Sequence, residues 1–173
     1  MQSLAIILLC ILSAVVYGIL HDQVTARVCV EYFTIGHPPI FNTTNPTLLG
    51  LGWGVVATWW VGLLLGAPLA MAARAGSRPK RDVFSLVRPI AILLTTCAVS
   101  AVAAGLVGGI LAGQRMVVLV EPLASGVPRE KQLAFLADLW AHSASYLMGF
   151  LGGVVVIVRV WRSRGHRQAE QPS

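Results

Sequence analysis

Residues 21–41 read HDQVTARVCVEYFTIGHPPIF and form the most chemically dense part of the chain. They include two histidines, two carboxylates, one arginine and one cysteine, and long apolar segments lie on both sides of them. A polar stretch between apolar segments is typical of a loop that joins two membrane spans. The stretch therefore predicts that the rest of the chain is a membrane frame, which holds this segment at one surface.

The composition also predicts an integral membrane protein. Of the 173 residues, 56% are hydrophobic and only 12% are charged, whereas soluble domains carry about 25% charged residues. The length allows four spans with short loops and leaves no room for a separate soluble domain. The three cysteines form no CxxC pair, so neither a disulfide framework nor a zinc ribbon is indicated.

Four apolar segments are long enough to cross a hydrocarbon core of about 30 Å at 1.5 Å per residue. We place the spans at about residues 3–20, 47–73, 89–113 and 139–160. A cleaved signal peptide is the alternative for the first span. However, no basic side chain precedes it and no A-x-A site follows it. The predicted fold class is an all-α membrane protein, a four-transmembrane-helix bundle that forms a single integral membrane domain.

Glycines spaced four residues apart recur in the last three spans. Such small-xxx-small faces let helix backbones approach closely in lipid. They predict close packing within the bundle, or contact with a second copy of the chain or another membrane protein. The glycines are Gly50, Gly54, Gly62, Gly66, Gly105, Gly109, Gly113, Gly149 and Gly153.

The basic residues predict the orientation. Residues 74–88 and 159–173 together hold nine of the thirteen lysines and arginines. The positive-inside rule places the loop 74–88, the tail 161–173 and both termini in the cytoplasm. Segments 21–46 and 114–138 then lie on the outer side. We attribute the net charge of +6 to topology and to contact with the lipid bilayer, and we expect no nucleic-acid partner.

The two outer segments are predicted to form a small extracytoplasmic cap. Apolar and polar residues alternate over residues 24–33, and a period of two is typical of a strand. We expect strands over residues 24–33 and 116–121 that pair in this cap. A helix over residues 22–34 is an open alternative. Arg27 and Glu31 would share one face of the strand, where they could form an ion pair.

This topology brings most of the histidines and carboxylates to the outer surface. Asp138 and His142 lie one helical turn apart and share a helix face. Imidazole and carboxylate ligands suit zinc, iron or copper, so a transition metal is the candidate cofactor. The candidate metal ligands are His21, His37, Asp138 and His142. The candidate contacts for a ligand or partner are Asp22, Arg27, Glu31, Tyr32, His37 and Tyr146.

Each of these residues also has a structural interpretation. Asp22 could cap a turn, and His37 with the two prolines after it could form a rigid turn. His142 could hydrogen-bond Ser145, Tyr146 or a loop carbonyl.

Three hypotheses for the function follow. No nucleophile–base motif, phosphate loop or HExxH helix is present. The favoured interpretation is therefore a non-enzymatic membrane protein whose cap binds a partner or small ligand. The second is a metal-dependent membrane enzyme or redox protein that uses His21, His37 and His142. The third is a small transporter or channel, which is weakened because no span carries a charge near its centre.

Four short motifs resemble those of small bacterial multi-span membrane proteins of unknown function. They are HDQVT at residues 21–25, EYFT at 31–34, WWVG at 59–62 and HSASY at 142–146. The resemblance covers the first two spans, the outer segment and the start of the last helix. It implies a location in the bacterial inner membrane and brings no activity with it.

Overall fold

The structure is a computed structural model that describes residues 1–169, with side chains for residues 1–165. The last four residues of the predicted tail lie outside the described residues. Seven α-helices are present over the described range: α1 Gln2–Val28, α2 Glu31–Thr34, α3 Pro46–Val56, α4 Trp59–Arg74, α5 Phe84–Gly113, α6 Leu123–Gly126 and α7 Gln132–Ala169. A 3-10 turn, Arg129–Lys131, precedes α7. The prediction of an all-helical protein with four helices long and apolar enough to cross a membrane is confirmed.

The predicted strand over residues 24–33 is wrong. Helix α1 continues to Val28, and the short α2 follows after a turn. Toward the end of α1 the buried side chains are Asp22, Thr25, Ala26 and, at the residue after the helix, Cys29. A spacing of three or four residues places them on one face of a helix. The helical period therefore decides which side chains are buried here, and the alternation of period two does not.

The predicted strand over residues 116–121 is wrong as well. This segment lies between α5 and α6 and has no regular secondary structure. Its expected pairing partner, residues 24–33, is mostly helical, and a lone strand has no partner for its backbone hydrogen bonds. Leu119 is buried against the aromatic side chains at this end of the bundle, while Val118 and Val120 are exposed.

The helices differ in extent from the predicted spans. The second apolar segment is divided into α3 and α4 at Ala57 and Thr58. The Thr58 hydroxyl donates to the carbonyl of Gly54. Helix α5 begins at Phe84, ahead of the predicted start, because the Asp82 carboxylate accepts the free N–H of Ser85 at 2.8 Å.

The five longest helices, α1, α3, α4, α5 and α7, form two closely packed groups. Helix α1 packs against α3 and α4, and α5 packs along α7. A Cβ atom added to Gly54 would lie 2.5 Å from Cα of Ile19, and one added to Gly62 would lie 2.6 Å from Cα of Ile11. These backbone approaches require glycine. The glycine pairs of the second apolar segment thus pack within the chain, and contact with a second copy stays a prediction.

Two apolar clusters join the groups, one at each end of the bundle. We call the end that carries Asp22 and His142 the histidine end, and the opposite end the arginine end. The histidine-end cluster includes Tyr32, Phe33, Leu49, Trp53, Leu119 and Phe135. The arginine-end cluster includes Ile6, Leu69, Leu86, Ile90 and Val160. Between the ends, a cavity of about 120 Å³ separates the groups.

A buried arginine fixes the arginine end. The side chain of Arg164 on α7 is fully buried. Its guanidinium donates to the carbonyl oxygens of Ala72, Ala75, Arg78 and Pro79 at 2.6–2.9 Å. These carbonyls lie at the end of α4 and in the loop after it. The sequence analysis placed Arg164 in the cytoplasmic tail 161–173. In the structure, Arg164 instead attaches α7 to the beginning of the basic loop 74–88.

Candidate metal centre

The candidate centre lies where α1 and α7 meet at the histidine end. Helix α1 supplies His21 and Asp22, and α7 supplies His142. One nitrogen or oxygen atom from each of these three residues lies within 4.8 Å of the other two. Asp22 and His142 are 4% and 8% exposed, so water reaches the centre only to a small extent.

Direct contacts join the three side chains. Nε2 of His142 lies 3.1 Å from Oδ1 of Asp22, and Nδ1 of His142 lies 3.3 Å from Nε2 of His21. One choice of tautomers satisfies both contacts: Nε2–H of His142 donates to Asp22, and Nε2–H of His21 donates to Nδ1 of His142. Without a metal ion, the three residues therefore form a hydrogen-bonded chain between the helices.

A metal ion held by His21, Asp22 and His142 would require Nε2 of His142 to be without its proton. Nδ1 of His142 also lies 3.1 Å from the carbonyl oxygen of Asp138. In the other tautomer, Nδ1–H donates to that carbonyl and leaves Nε2 free to coordinate. Metal-binding histidines are usually oriented by a hydrogen bond of this kind. Asp138 would thus orient a ligand through its backbone.

The Asp138 side chain adds an unexplained polar atom. Asp138 is 5% exposed, and its Oδ2 atom has no hydrogen-bond partner among the described residues. A buried carboxylate oxygen without a partner is costly. This oxygen is therefore available to a group that the described residues do not supply.

Aromatic rings cover the histidines. The Tyr32 ring stacks on His142 at a centroid distance of 4.4 Å, and burial raises the pKa of Tyr32, so its phenol stays neutral. The Tyr17 ring stacks on His21 at 5.8 Å, and its hydroxyl lies 2.6 Å from Oγ of Ser145. These contacts fix the ring planes of both histidines and shield them from solvent.

The sequence analysis missed Tyr17, and it considered Ser145 only as a hydrogen-bond partner of His142, whereas Ser145 pairs with Tyr17. A signal for them exists, because Tyr17 precedes His21 by four residues and Ser145 follows His142 by three. Both spacings place a pair on one helix face. The signal becomes usable only when α1 is known to remain helical beyond residue 20.

His37 lies apart from the group that contains His21, Asp22 and His142. Its Nδ1 lies 2.8 Å from the carbonyl oxygen of Tyr32, and its ring lies 4.6 Å from that of Trp53. The geometry thus gives His37 a place in the aromatic cluster. Of the predicted metal ligands, the structure brings His21 and His142 together and adds Asp22.

The remaining candidate residues contact other parts of the same end. Arg27 donates to the side chain of Gln23 at 2.6 Å and to the hydroxyl of Thr47 at 3.1 Å. Glu31 lies 3.8 Å from Lys131, which replaces the expected ion pair with Arg27. The Tyr146 hydroxyl donates to the carbonyl of Ala57 at 3.4 Å.

The cavity between the helix groups begins directly beside the candidate centre. His21, Asp22, Tyr17 and Ser145 line it, and apolar side chains such as Leu65 line much of the rest. A cavity of about 120 Å³ is close to the roughly 150 Å³ that holds a benzene molecule. The centre therefore has access to a space for a small, mainly apolar group.

Comparison with models of known protein families, with curated proteins and with solved structures gives no match for this chain, so the resemblance to small bacterial multi-span membrane proteins stays a prediction.

Proposed function

We propose that the protein is a metal-dependent membrane enzyme that binds a divalent transition metal ion through His21, Asp22 and His142. The convergence of these three ligands from two helices carries the proposal. Two imidazoles and one carboxylate are the ligand set of many catalytic zinc sites and of non-haem iron(II) sites. His37, which the sequence hypothesis included, is replaced in this set by Asp22.

Three protein ligands leave coordination positions for water or a substrate. The cavity beside the ligands supports such a position, because it offers space for a small apolar group next to the metal. Asp138 is then available to accept or donate a proton near the centre, since its Oδ2 atom has no partner among the described residues.

We further propose that the four candidate spans, in which α3 and α4 together form the second, cross a bacterial inner membrane with the histidine end outside. Apolar side chains are exposed along the whole of α1, including Leu4, Leu8, Leu12, Val16, Leu20 and Val24. Exposed apolar surface of this extent is favourable in lipid and unfavourable in water. The arginines of the opposite end favour the cytoplasmic side.

Metal binding is tested on full-length protein purified in detergent and treated with a chelator. Zn²⁺, Co²⁺, Fe²⁺ and Mn²⁺ are added singly, and bound metal is measured by elemental analysis after gel filtration. We expect about one equivalent of at least one metal. Asp22→Asn and His142→Gln are expected to weaken its binding at least tenfold, as removal of a ligand does.

His37→Gln is the matched control, because His37 lies at the same end but outside the ligand group. It should bind metal like the wild type. The absence of stoichiometric metal in the wild type, or equal loss in the His37 variant, would overturn the assignment. Gel filtration and a thermal melt of each variant separate loss of metal from loss of fold.

The orientation has its own test. Alkaline phosphatase or green fluorescent protein is fused to the C-terminus in bacterial cells. We expect fluorescence and no phosphatase activity, since the phosphatase is active only outside the cytoplasm. The reverse result would contradict the proposed orientation.

A groove at the histidine end supports the second candidate function, a non-enzymatic protein whose cap binds a partner or small ligand. The groove has a volume of about 430 Å³ and lies between α2 and α3. Phe33, Phe41 and Trp53 line it, together with the exposed Pro38 and Asn42. If ligands bind there, Asn42→Trp should block binding while the metal content is unchanged. Unaltered binding by this variant would contradict the second candidate.

A further inference from the structure

A second groove lies at the arginine end, between α5 and α7. Its volume is about 480 Å³. Arg81, Arg88 and Arg159 line one part of it, with Ser85 and Ser163 beside them. The sequence analysis used these arginines only to orient the chain, and the candidate metal centre lies at the other end of the bundle.

The groove changes from charged to apolar along the helices. On α5, Arg88, Ile92 and Thr96 follow one another at intervals of four residues, so they lie on one face. On α7, Val155 and Met148 lie successively farther from Arg159 toward the histidine end. The eight residues from Arg88 to Thr96 span about 12 Å of helix. The result is an amphipathic groove with its positive charge at one end.

No described acidic residue neutralises the positive charge at the arginine-lined end of the groove, which we call its mouth. No carboxylate lines the groove, and within residues 1–165 none lies within 4.0 Å of its three guanidinium groups. Arg81 contacts the hydroxyls of Ser85 and Ser163 at 3.3 and 3.4 Å. Arg88 and Arg159 are exposed. Guanidinium groups in such a setting bind phosphate oxygens strongly.

We propose that this groove binds an anionic phospholipid, with its phosphate at Arg81, Arg88 and Arg159 and one acyl chain along the apolar wall. Basic pockets between membrane helices on the cytoplasmic side have this chemistry. A free phosphate ion would occupy only the mouth and leave the apolar part without a ligand. The proposal depends on the proposed membrane insertion but not on the metal centre.

The test compares two lipids with identical acyl chains. Full-length protein in a neutral detergent containing a chelator is mixed with phosphatidylglycerol or phosphatidylcholine, and bound lipid is measured by native mass spectrometry. We expect about tenfold greater retention of phosphatidylglycerol. The double variant Arg88→Gln, Arg159→Gln should abolish most of this preference.

Arg162→Gln is the matched control, because Arg162 is an exposed arginine on α7 that does not line the groove. It should keep the preference of the wild type. Equal retention of both lipids, or the same preference in the double variant, would overturn the proposal. So would displacement of the lipid by millimolar inorganic phosphate, which would show a simple anion site. The chelator keeps the protein free of metal, so lipid binding is measured without any contribution from the metal centre. A failure to bind lipid is therefore a separate result from a failure to bind metal.

Discussion

At the scale of single residues, Asp138 lies one turn before His142 with a buried Oδ2 atom that lacks a hydrogen-bond partner in the described structure. We predict that Asp138→Asn raises the free energy of unfolding of the metal-free protein by about 1 kcal/mol, because it removes a buried carboxyl group that folding withdraws from water. The measurement is a denaturant or thermal melt in detergent with a chelator present.

The control for this change is Glu130→Gln, since Glu130 is an exposed carboxylate in the 3-10 turn just before the same helix. Its effect should stay within about 0.5 kcal/mol. A loss of stability of 1 kcal/mol or more in Asp138→Asn alone would mean that the carboxylate forms a stabilising contact absent from this geometry.

Cys29 provides a second prediction for a single residue. It lies just beyond α1 and is 1% exposed, with Sγ 3.4 Å from Oε2 of Glu31. Burial, followed by the hydrogen bond to Glu31, raises the pKa of the Cys29 thiol from 9.0 to about 11. The thiolate is the reactive form, so a rise of this size reduces it about 100-fold at pH 7.

We therefore expect a variant that keeps only Cys29, with Cys10→Ala and Cys97→Ala, to react with a maleimide at least about 100-fold more slowly when folded than when unfolded. The rate should increase with pH up to the raised pKa. Mass spectrometry of quenched samples measures it. Equal rates for folded and unfolded protein at pH 7 would contradict both the burial and the raised pKa.

At the scale of elements, α1 shows what could be predicted and what could not. Its first part follows from an apolar run of about 18 residues. Its continuation to Val28 was only the alternative interpretation, because alternating apolar and polar residues fit a strand while Asp22, Thr25 and Ala26 also fit one helix face. Contacts across the bundle decide between the two patterns, since all three side chains are buried against other elements.

The packing of α1 against α3 gives a prediction about an element. A Cβ atom at Gly54 would lie 2.5 Å from the backbone of Ile19, whereas one at Gly109 would lie 3.6 Å from the nearest atom, Cβ of Ala137. Gly54→Ala should lower the free energy of unfolding by about 1–3 kcal/mol, because the helices must move apart. Gly109→Ala should be neutral or slightly stabilising, since alanine favours the helix. Equal effects in melts would contradict this packing.

The attachment of α7 to the loop after α4 by Arg164 gives a second prediction about an element. Arg164→Lys keeps the charge but loses the planar fork that reaches four carbonyl oxygens. We expect a loss of about 2–4 kcal/mol of stability, because buried carbonyls lose their donors. Arg162 lies about half a helical turn before Arg164, on the exposed side of α7. Arg162→Lys should therefore change the free energy of unfolding by less than about 0.5 kcal/mol. A similar small effect for both would contradict the role given to Arg164.

At the scale of the whole molecule, two helix groups meet at both ends and separate around a cavity between them. The sequence predicted that His21, Asp22, Asp138 and His142 lie at one end, because topology alone requires it. It could not predict that Asp22 contacts His142 or that His37 lies outside the group of His21, Asp22 and His142. Those contacts depend on the rotation of α1 and α7 about their axes, which tertiary packing sets.

A metal ion bound at the candidate centre would link the two groups, since His21 and Asp22 belong to α1 and His142 to α7. A ligand that binds only the folded state at 100 times its Kd stabilises that state by about 2.7 kcal/mol. We therefore expect the Tm of chelator-treated protein to rise when the preferred metal is added. Asp22→Asn should lose this gain, and His37→Gln should keep it, because only the first changes a ligand. An equal rise of Tm in all three proteins would indicate metal binding elsewhere and would contradict a link between α1 and α7 at this centre.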